Sequence, residues 1–172
     1  MMKEKFKQAF MDTAKRFAEL SHARRLKVGA IVVNDDRIIS IGYNGMPAGW
    51  DNNCEDVEWC SAGGWLDPDE IEERWPYEGT YLDAAGNTMQ GRYRLKTKSE
   101  VLHAESNAIS KLAKSSESGM GGTLFVTHSP CIHCAKLILQ SGISSVYYNE
   151  NYRDDAGLTF LEMSGIIVEQ VK

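Results

Sequence analysis

No apolar run in the 172 residues approaches the roughly 20 that a membrane-spanning helix needs. The first stretch, MMKEKFKQAFMDTAKRF, scatters charge where a secretory leader would carry its greasy segment, so the expected address is cytoplasmic, with no membrane partner. Positive charge is not in excess either. With 19 Lys and Arg against 24 Asp and Glu, the formal charge of -5 argues against the broad basic face of a nucleic-acid binder, although a local cluster can still take a small anion. Internal repeats and low-complexity segments are absent. At 42% hydrophobic and 25% charged residues the composition is ordinary for a globular chain, and the length fits one domain over 1–172.

Phe6, Phe10, Ala14, Phe17 and Leu20 recur at helical spacing, predicting an amphipathic first helix with that stripe against the core. KVGAIVVNDDRIISIGYNG holds two β-branched runs about Asn34-Asp35-Asp36, the pattern of a hairpin. From residue 103 the chain alternates: helix 103–114, strand 123–130, helix 134–142, strand 144–150, helix 156–164 and a closing strand GIIVEQVK. An antiparallel hairpin followed by strands with helical crossovers implies an α/β layer sandwich around a mixed sheet. Residues 50–100 break the alternation. They hold all four tryptophans (Trp50, Trp59, Trp65, Trp75) and an Asp67-Pro68 helix start, and read as an insertion on the rim of the sheet: a satellite core, a substrate lid or a subunit interface.

Cys131 and Cys134 form a CxxC. If Cys131 opens a helix, Cys134 lies one turn on and roughly 60° round, so both sulfurs can meet one ion, whereas His133 points away. A thioredoxin-like redox pair would want this motif after a first strand in another topology. His103 and Glu105 would diverge by about 200° in mid-helix. They can share a site only if His103 stands at the helix entrance. Two thiolates and a neutral imidazole then leave Zn²⁺ formally neutral with a fourth position for water. Zinc lowers the pKa of bound water from about 15.7 to about 7. Thiolate donation blunts that gain, so a neighbouring base is needed, and Glu105 fits as the proton carrier. The rival is a structural zinc whose fourth ligand is His128, Cys54 or Cys60, with Glu105 solvated.

HxE followed by PCxxC is the pattern of zinc-dependent nucleobase deaminases. HAESNAI and PCIHC resemble that superfamily over nearly the whole chain, and KVGAIVVNDDRIISIGYNGMPAG with a long insertion resembles the deoxycytidylate deaminases. The resemblance implies a three-layer α/β/α cytidine-deaminase-like fold with a five-stranded mixed sheet and an N-terminal β-hairpin. It implies hydrolysis of dCMP to dUMP and ammonia, supplying dUMP for thymidylate synthesis, in a homo-oligomer, commonly a hexamer, activated by dCTP and inhibited by dTTP. By the same similarity His103, Cys131 and Cys134 are zinc ligands and Glu105 the proton shuttle. Asn44 and Tyr152 then contact the substrate, and Arg25, Lys27, Gly45 and Asp51 hold an effector nucleotide with Mg²⁺. Some members carry a second zinc held by a cysteine before VGA and one after GYNG. Cys54 is present here, but Ala23 and Arg24 occupy the place of the first, so a second metal is not expected.

Two basic clusters offer charge for phosphate. One is Arg24, Arg25 and Lys27. The other is RYRLKTK, whose Arg92, Arg94, Lys96 and Lys98 share one side of an extended segment, either as a phosphate or effector site or as a charge-protected edge strand. Among rivals, a deaminase of a base in RNA or single-stranded DNA shares the zinc chemistry, but the acidic balance and the lack of stacking aromatics beside basic residues weigh against it. A riboflavin-pathway deaminase spaces its cysteines farther apart. A zinc-stabilised nucleotide sensor without turnover is the third alternative.

Overall fold

The computed structural model describes residues 2–61 and 66–172. Its elements run α1 (Glu4–Ala18), β1 (Gly29–Asn34), β2 (Arg37–Tyr43), β3 (Glu55–Trp59), α2 (Pro68–Arg74), β4 (Tyr77–Leu82), β5 (Thr88–Thr97), α3 (Ala104–Leu112), β6 (Thr123–His128), α4 (Ile132–Gln140), β7 (Ser145–Glu150), α5 (Ala156–Met163) and β8 (Ile167–Gln170). β1 and β2 form the expected hairpin. Asp35 and Asp36 take φ of 48° and 58°, the doubly left-handed turn whose twist matches that of paired strands.

The five-stranded sheet has the order β2-β1-β6-β7-β8. β1 runs antiparallel to β2 and β6, while β6, β7 and β8 are parallel, with α4 and α5 as the crossovers. Period-two alternation sends Ile31, Val33, Phe125 and Tyr147 to the face covered by α1. Val32, Leu124, Val126 and Val146 go to the other face, under α3, α4 and α5. The result is the three-layer α/β/α arrangement with a mixed sheet. Among the described residues no helix is long and apolar enough to cross a membrane.

The stripe on α1 is rotated from its expected position. Met11, Ala14 and Ala18 are buried together with Lys7, whereas Phe6 and Leu20 are exposed and Phe10 and Phe17 pack at the margin. Lys7 can occupy the buried side because its ammonium sits over the Tyr147 ring, 5.1 Å from the centroid, and meets Glu169 at 2.5 Å.

β3, β4 and β5 build a second sheet in the order β3-β5-β4, antiparallel throughout. Trp59, Tyr77, Tyr81 and Tyr93 pack ring against ring on one side of it, with Trp59 and Tyr93 half-buried and Tyr77 and Tyr81 exposed. Trp75 is buried, Trp50 is exposed, and Trp65 lies outside the described residues. α2 starts as expected, with the Asp67 carboxylate accepting from the Asp69 N–H and Pro68 in the first turn. RYRLKTK is not the edge strand that one reading of it expected: β5 is the central strand, and three of the four basic residues are paired. Arg94 donates twice to Glu58, Arg92 meets Glu72 and Glu78, and Lys98 meets Asp56.

Candidate active site

Two helix entrances converge at one end of the five-stranded sheet. A reciprocal backbone bridge between Gly45 and Leu102, with N···O distances of 3.1 and 2.9 Å, pins the chain just ahead of α3. His103 is still extended there (φ -74°, ψ 154°), so its side chain leaves outside the helical screw. α3 then lies directly on β2 at Gly42, where an added Cβ would fall 2.0 Å from the Ala104 carbonyl oxygen. Cys131 occupies the same cap position before α4 (φ -69°, ψ 165°), and Cys134 sits in the first turn behind it.

The His103 Nδ1 lies 3.4 Å from the Cys134 Sγ and 3.7 Å from the Cys131 Sγ. Tetrahedral zinc, with bonds of about 2.1 Å to nitrogen and 2.3 Å to sulfur, requires ligand separations of about 3.6 to 3.8 Å, so the donor set fits. Among the described residues these three are the cluster of His, Cys, Asp and Glu atoms that converge closely enough for an ion, all within 4.8 Å of one another. His128 is instead tied to Glu150 at 3.3 Å and to the Thr127 hydroxyl at 3.2 Å. Cys54 packs beside Ala23 and Val101 with its thiol toward the Asn52 carbonyl, and His133 is exposed.

Hydrogen bonds from Cys134 and then His103, at a helix N-terminus, hold the Cys131 thiol down at about 3. The same hydrogen bond between the sulfurs, followed by burial, pushes the Cys134 thiol up. His103 is raised, first by its bond to Cys131, against the pull of burial. Glu105 is 4% exposed, and burial raises its carboxyl above the ordinary range even though its own backbone N–H and His103 oppose that. A carboxyl raised by burial beside this cluster is suited to accept and return a proton.

A cleft of about 300 Å³ opens over this cluster, bordered by His103, Glu105 and Cys131. Asn44 and Tyr152 both border it, as does Arg25. The Asn44 amide is also structural, accepting from the Val28 N–H and donating to the Leu26 carbonyl, both at 2.8 Å. Tyr152 is held by its N–H donating to the Ser129 hydroxyl at 2.7 Å, and the Arg153 guanidinium covers its ring. Lys27, Gly45 and Asp51 are outside the lining: Lys27 is exposed, Gly45 serves the bridge ahead of α3, and Asp51 accepts from the Asn53 N–H. Glu55, Thr97 and Arg153 complete the wall without having been singled out by the sequence. Only Arg153, one residue beyond Tyr152, carries a local signal, a cation beside an expected substrate contact.

The model of the cytidine and deoxycytidylate deaminase zinc-binding region matches residues 4–150. The chain belongs to this deaminase family. It is 33% identical over 166 residues to ComE operon protein 2 of Bacillus subtilis (strain 168), covering 96% of this chain and 70% of that one. It is 34% identical over 148 residues to the deoxycytidylate deaminase of Mycobacterium phage D29, covering 86% and 97%. Among solved structures, the dCMP deaminase of cyanophage S-TIM5 in complex with dCMP and dUMP matches with a TM-score of 0.74 at 38% identity, over 99% of both chains. Zinc is the metal of the matched region, and the His-Cys-Cys donor set here is consistent with it.

Proposed function

We propose that this protein deaminates dCMP hydrolytically to dUMP and ammonia. The observation that carries the reading is the convergence of His103, Cys131 and Cys134 on one point, with the buried Glu105 alongside, under a cleft that two arginines border. The phage deoxycytidylate deaminase and the cyanophage enzyme holding dCMP and dUMP support the choice of substrate.

His103, Cys131 and Cys134 would hold zinc, which would supply the Lewis acidity that makes water a nucleophile at neutral pH. Glu105 would take one proton from the attacking water and place it on a ring nitrogen of cytosine as the C4–O bond forms, then carry the proton of the added hydroxyl to the amine as the C4–N bond breaks, so that water and dCMP become dUMP and ammonia. Asn44 and Tyr152 orient the base and sugar. Arg25, with Arg153 opposite, meets the 5′-phosphate; guanidinium forks suit phosphate oxygens. Lys27, Gly45 and Asp51 remain for an effector nucleotide, with dCTP and Mg²⁺ activating and dTTP inhibiting. The same reading makes 1–172 one deaminase domain acting as a homo-oligomer, a hexamer by family resemblance. It works in the cytoplasm, where thiols stay reduced and its dUMP feeds thymidylate synthesis.

Ammonia release tests this directly. Purified protein is given dCMP, dCTP, cytidine and a cytosine-containing oligonucleotide, each with and without dCTP or dTTP plus Mg²⁺. The reading predicts turnover of dCMP, raised by dCTP and lowered by dTTP. No ammonia from dCMP, or faster turnover of the oligonucleotide, refutes it.

A further inference from the structure

The wall of the cleft contributed by the second sheet contains a carboxylate that the proposed chemistry does not use. Glu55, the first residue of β3, is 1% exposed. Its Oε1 accepts the backbone N–H of Arg24 at 3.0 Å and of Arg25 at 3.2 Å, and its Oε2 meets the Arg24 guanidinium at 3.5 Å. Arg24 returns the grip by donating to the Glu55 carbonyl and to the Asn53 side chain, each at 3.3 Å. Two successive N–H groups aimed at one anion fix the local backbone, because neither donor has a regular strand or helix partner in the segment between α1 and β1.

The segment carrying Arg25 is therefore fastened from two directions. The hairpin holds its later part through the Asn44 amide at Leu26 and Val28. The second sheet holds its middle through Glu55. Thr97 of β5, the direct cross-strand partner of Glu55, lies 3.5 Å from the Arg25 guanidinium. One cross-strand pair of the inserted sheet thus holds both the backbone and the side-chain tip of Arg25.

We propose that Glu55 is a positioning residue for recognition of the substrate's 5′-phosphate, acting through Arg25, and that the inserted sheet serves the site by supplying it. This rests on the deoxycytidylate reading above. Glu55 repels an anion if it faces one directly, but bound to the loop N–H groups it keeps Arg25 turned to the cleft. Its loss frees the loop and disperses that charge.

The test compares dCMP with 2′-deoxycytidine, which lacks the phosphate. In Glu55→Ala the ratio of kcat/KM for dCMP to that for 2′-deoxycytidine falls by about 10- to 100-fold, the scale of lost hydrogen bonds to a charged group. The change lies in KM for dCMP, with kcat and zinc content near those of the parent. Added to Arg25→Gln, the Glu55 substitution lowers the ratio by less than about twofold more, since the two act as one unit. If the alanine variant does not fold, Glu55→Gln gives the same pattern with a fall of about three- to tenfold. Equal losses on both substrates, an unchanged ratio, or full additivity with Arg25→Gln overturns the proposal. Parent protein that releases no ammonia from dCMP overturns the deaminase reading itself, a separate result.

Discussion

The two sheets cover their faces with different materials. In the five-stranded sheet, aliphatic and aromatic side chains from β1, β6 and β7 are buried under helices on both sides. In the three-stranded sheet, one side carries ion pairs and the other carries Trp59, Tyr81 and Tyr93 folded over the facing glycines Gly79 and Gly91. Val57, Leu82 and Met89 stay exposed on the three-stranded sheet. The first sheet holds the helix entrances that bring His103, Cys131 and Cys134 together, and so has little freedom to shift. The second touches the cleft at Glu55 and Thr97 and tolerates change elsewhere. The main core and the candidate site thus rest mainly on one layer, and the other meets the cleft through a narrow contact.

Substitutions can break or sharpen that contrast. The largest effect is expected from Cys134→Ser, which removes a donor from the gathered cluster. Zinc content measured by elemental analysis falls from about one per chain toward zero, and dUMP formation falls with it below detection, because an open three-ligand site binds poorly with a donor missing. Next comes Gly42→Ala. Its methyl collides with the backbone of α3 at Ala104 and Ala108, which cannot yield without moving His103. Overpacking of this kind costs about 3 kcal/mol, lowering the melting temperature by about 6 to 12 °C. The matching change in the second sheet, Gly91→Ala, meets only the tip of the Tyr81 ring at 3.0 Å and the Trp59 ring at 3.5 Å. Those rings can give way, so the shift stays within about 1 kcal/mol and about 4 °C in either direction. Smallest is Arg94→Ala. It breaks an exposed pair with Glu58, and both the melting temperature and kcat/KM for dCMP are expected to stay within measurement error. A large kinetic loss in that variant shows that Arg94 itself, and not only Thr97, acts on the site.

The same contrast explains what the sequence made legible. β1, β2, β6 and β7 announce themselves because burial on a shared core imposes runs of Ile, Val, Leu and Phe, and the Asp35-Asp36 turn marks their hairpin. His103, Glu105, Cys131 and Cys134 were legible because their chemistry demands fixed residue types at fixed short spacing. The placement of His103 ahead of α3 followed from helix geometry alone and is what the fold shows. β3, β4 and β5 were not legible as a sheet, since their pattern of charges and aromatics answers to cross-strand partners 14 to 36 residues away, such as Glu78 with Arg92 and Glu58 with Arg94. Glu55 was missed for the same reason. Its partners at Arg24 and Arg25 are backbone groups in a distant loop, and no local spacing encodes them. On α1 the burial of Lys7 displaced the expected Phe6 and Leu20 stripe, because an ion pair with Glu169 lets a cation lie where periodicity places an apolar residue.

We read Glu105 as the proton carrier for a reaction on zinc held by His103, Cys131 and Cys134. The most direct measurement is dUMP formation from dCMP by Glu105→Gln, made alongside zinc analysis of the same sample. The account predicts a full complement of zinc and a fall in kcat of at least about 10²- to 10⁴-fold, the usual contribution of a positioned acid or base. Parent-like turnover in zinc-loaded Glu105→Gln would contradict it.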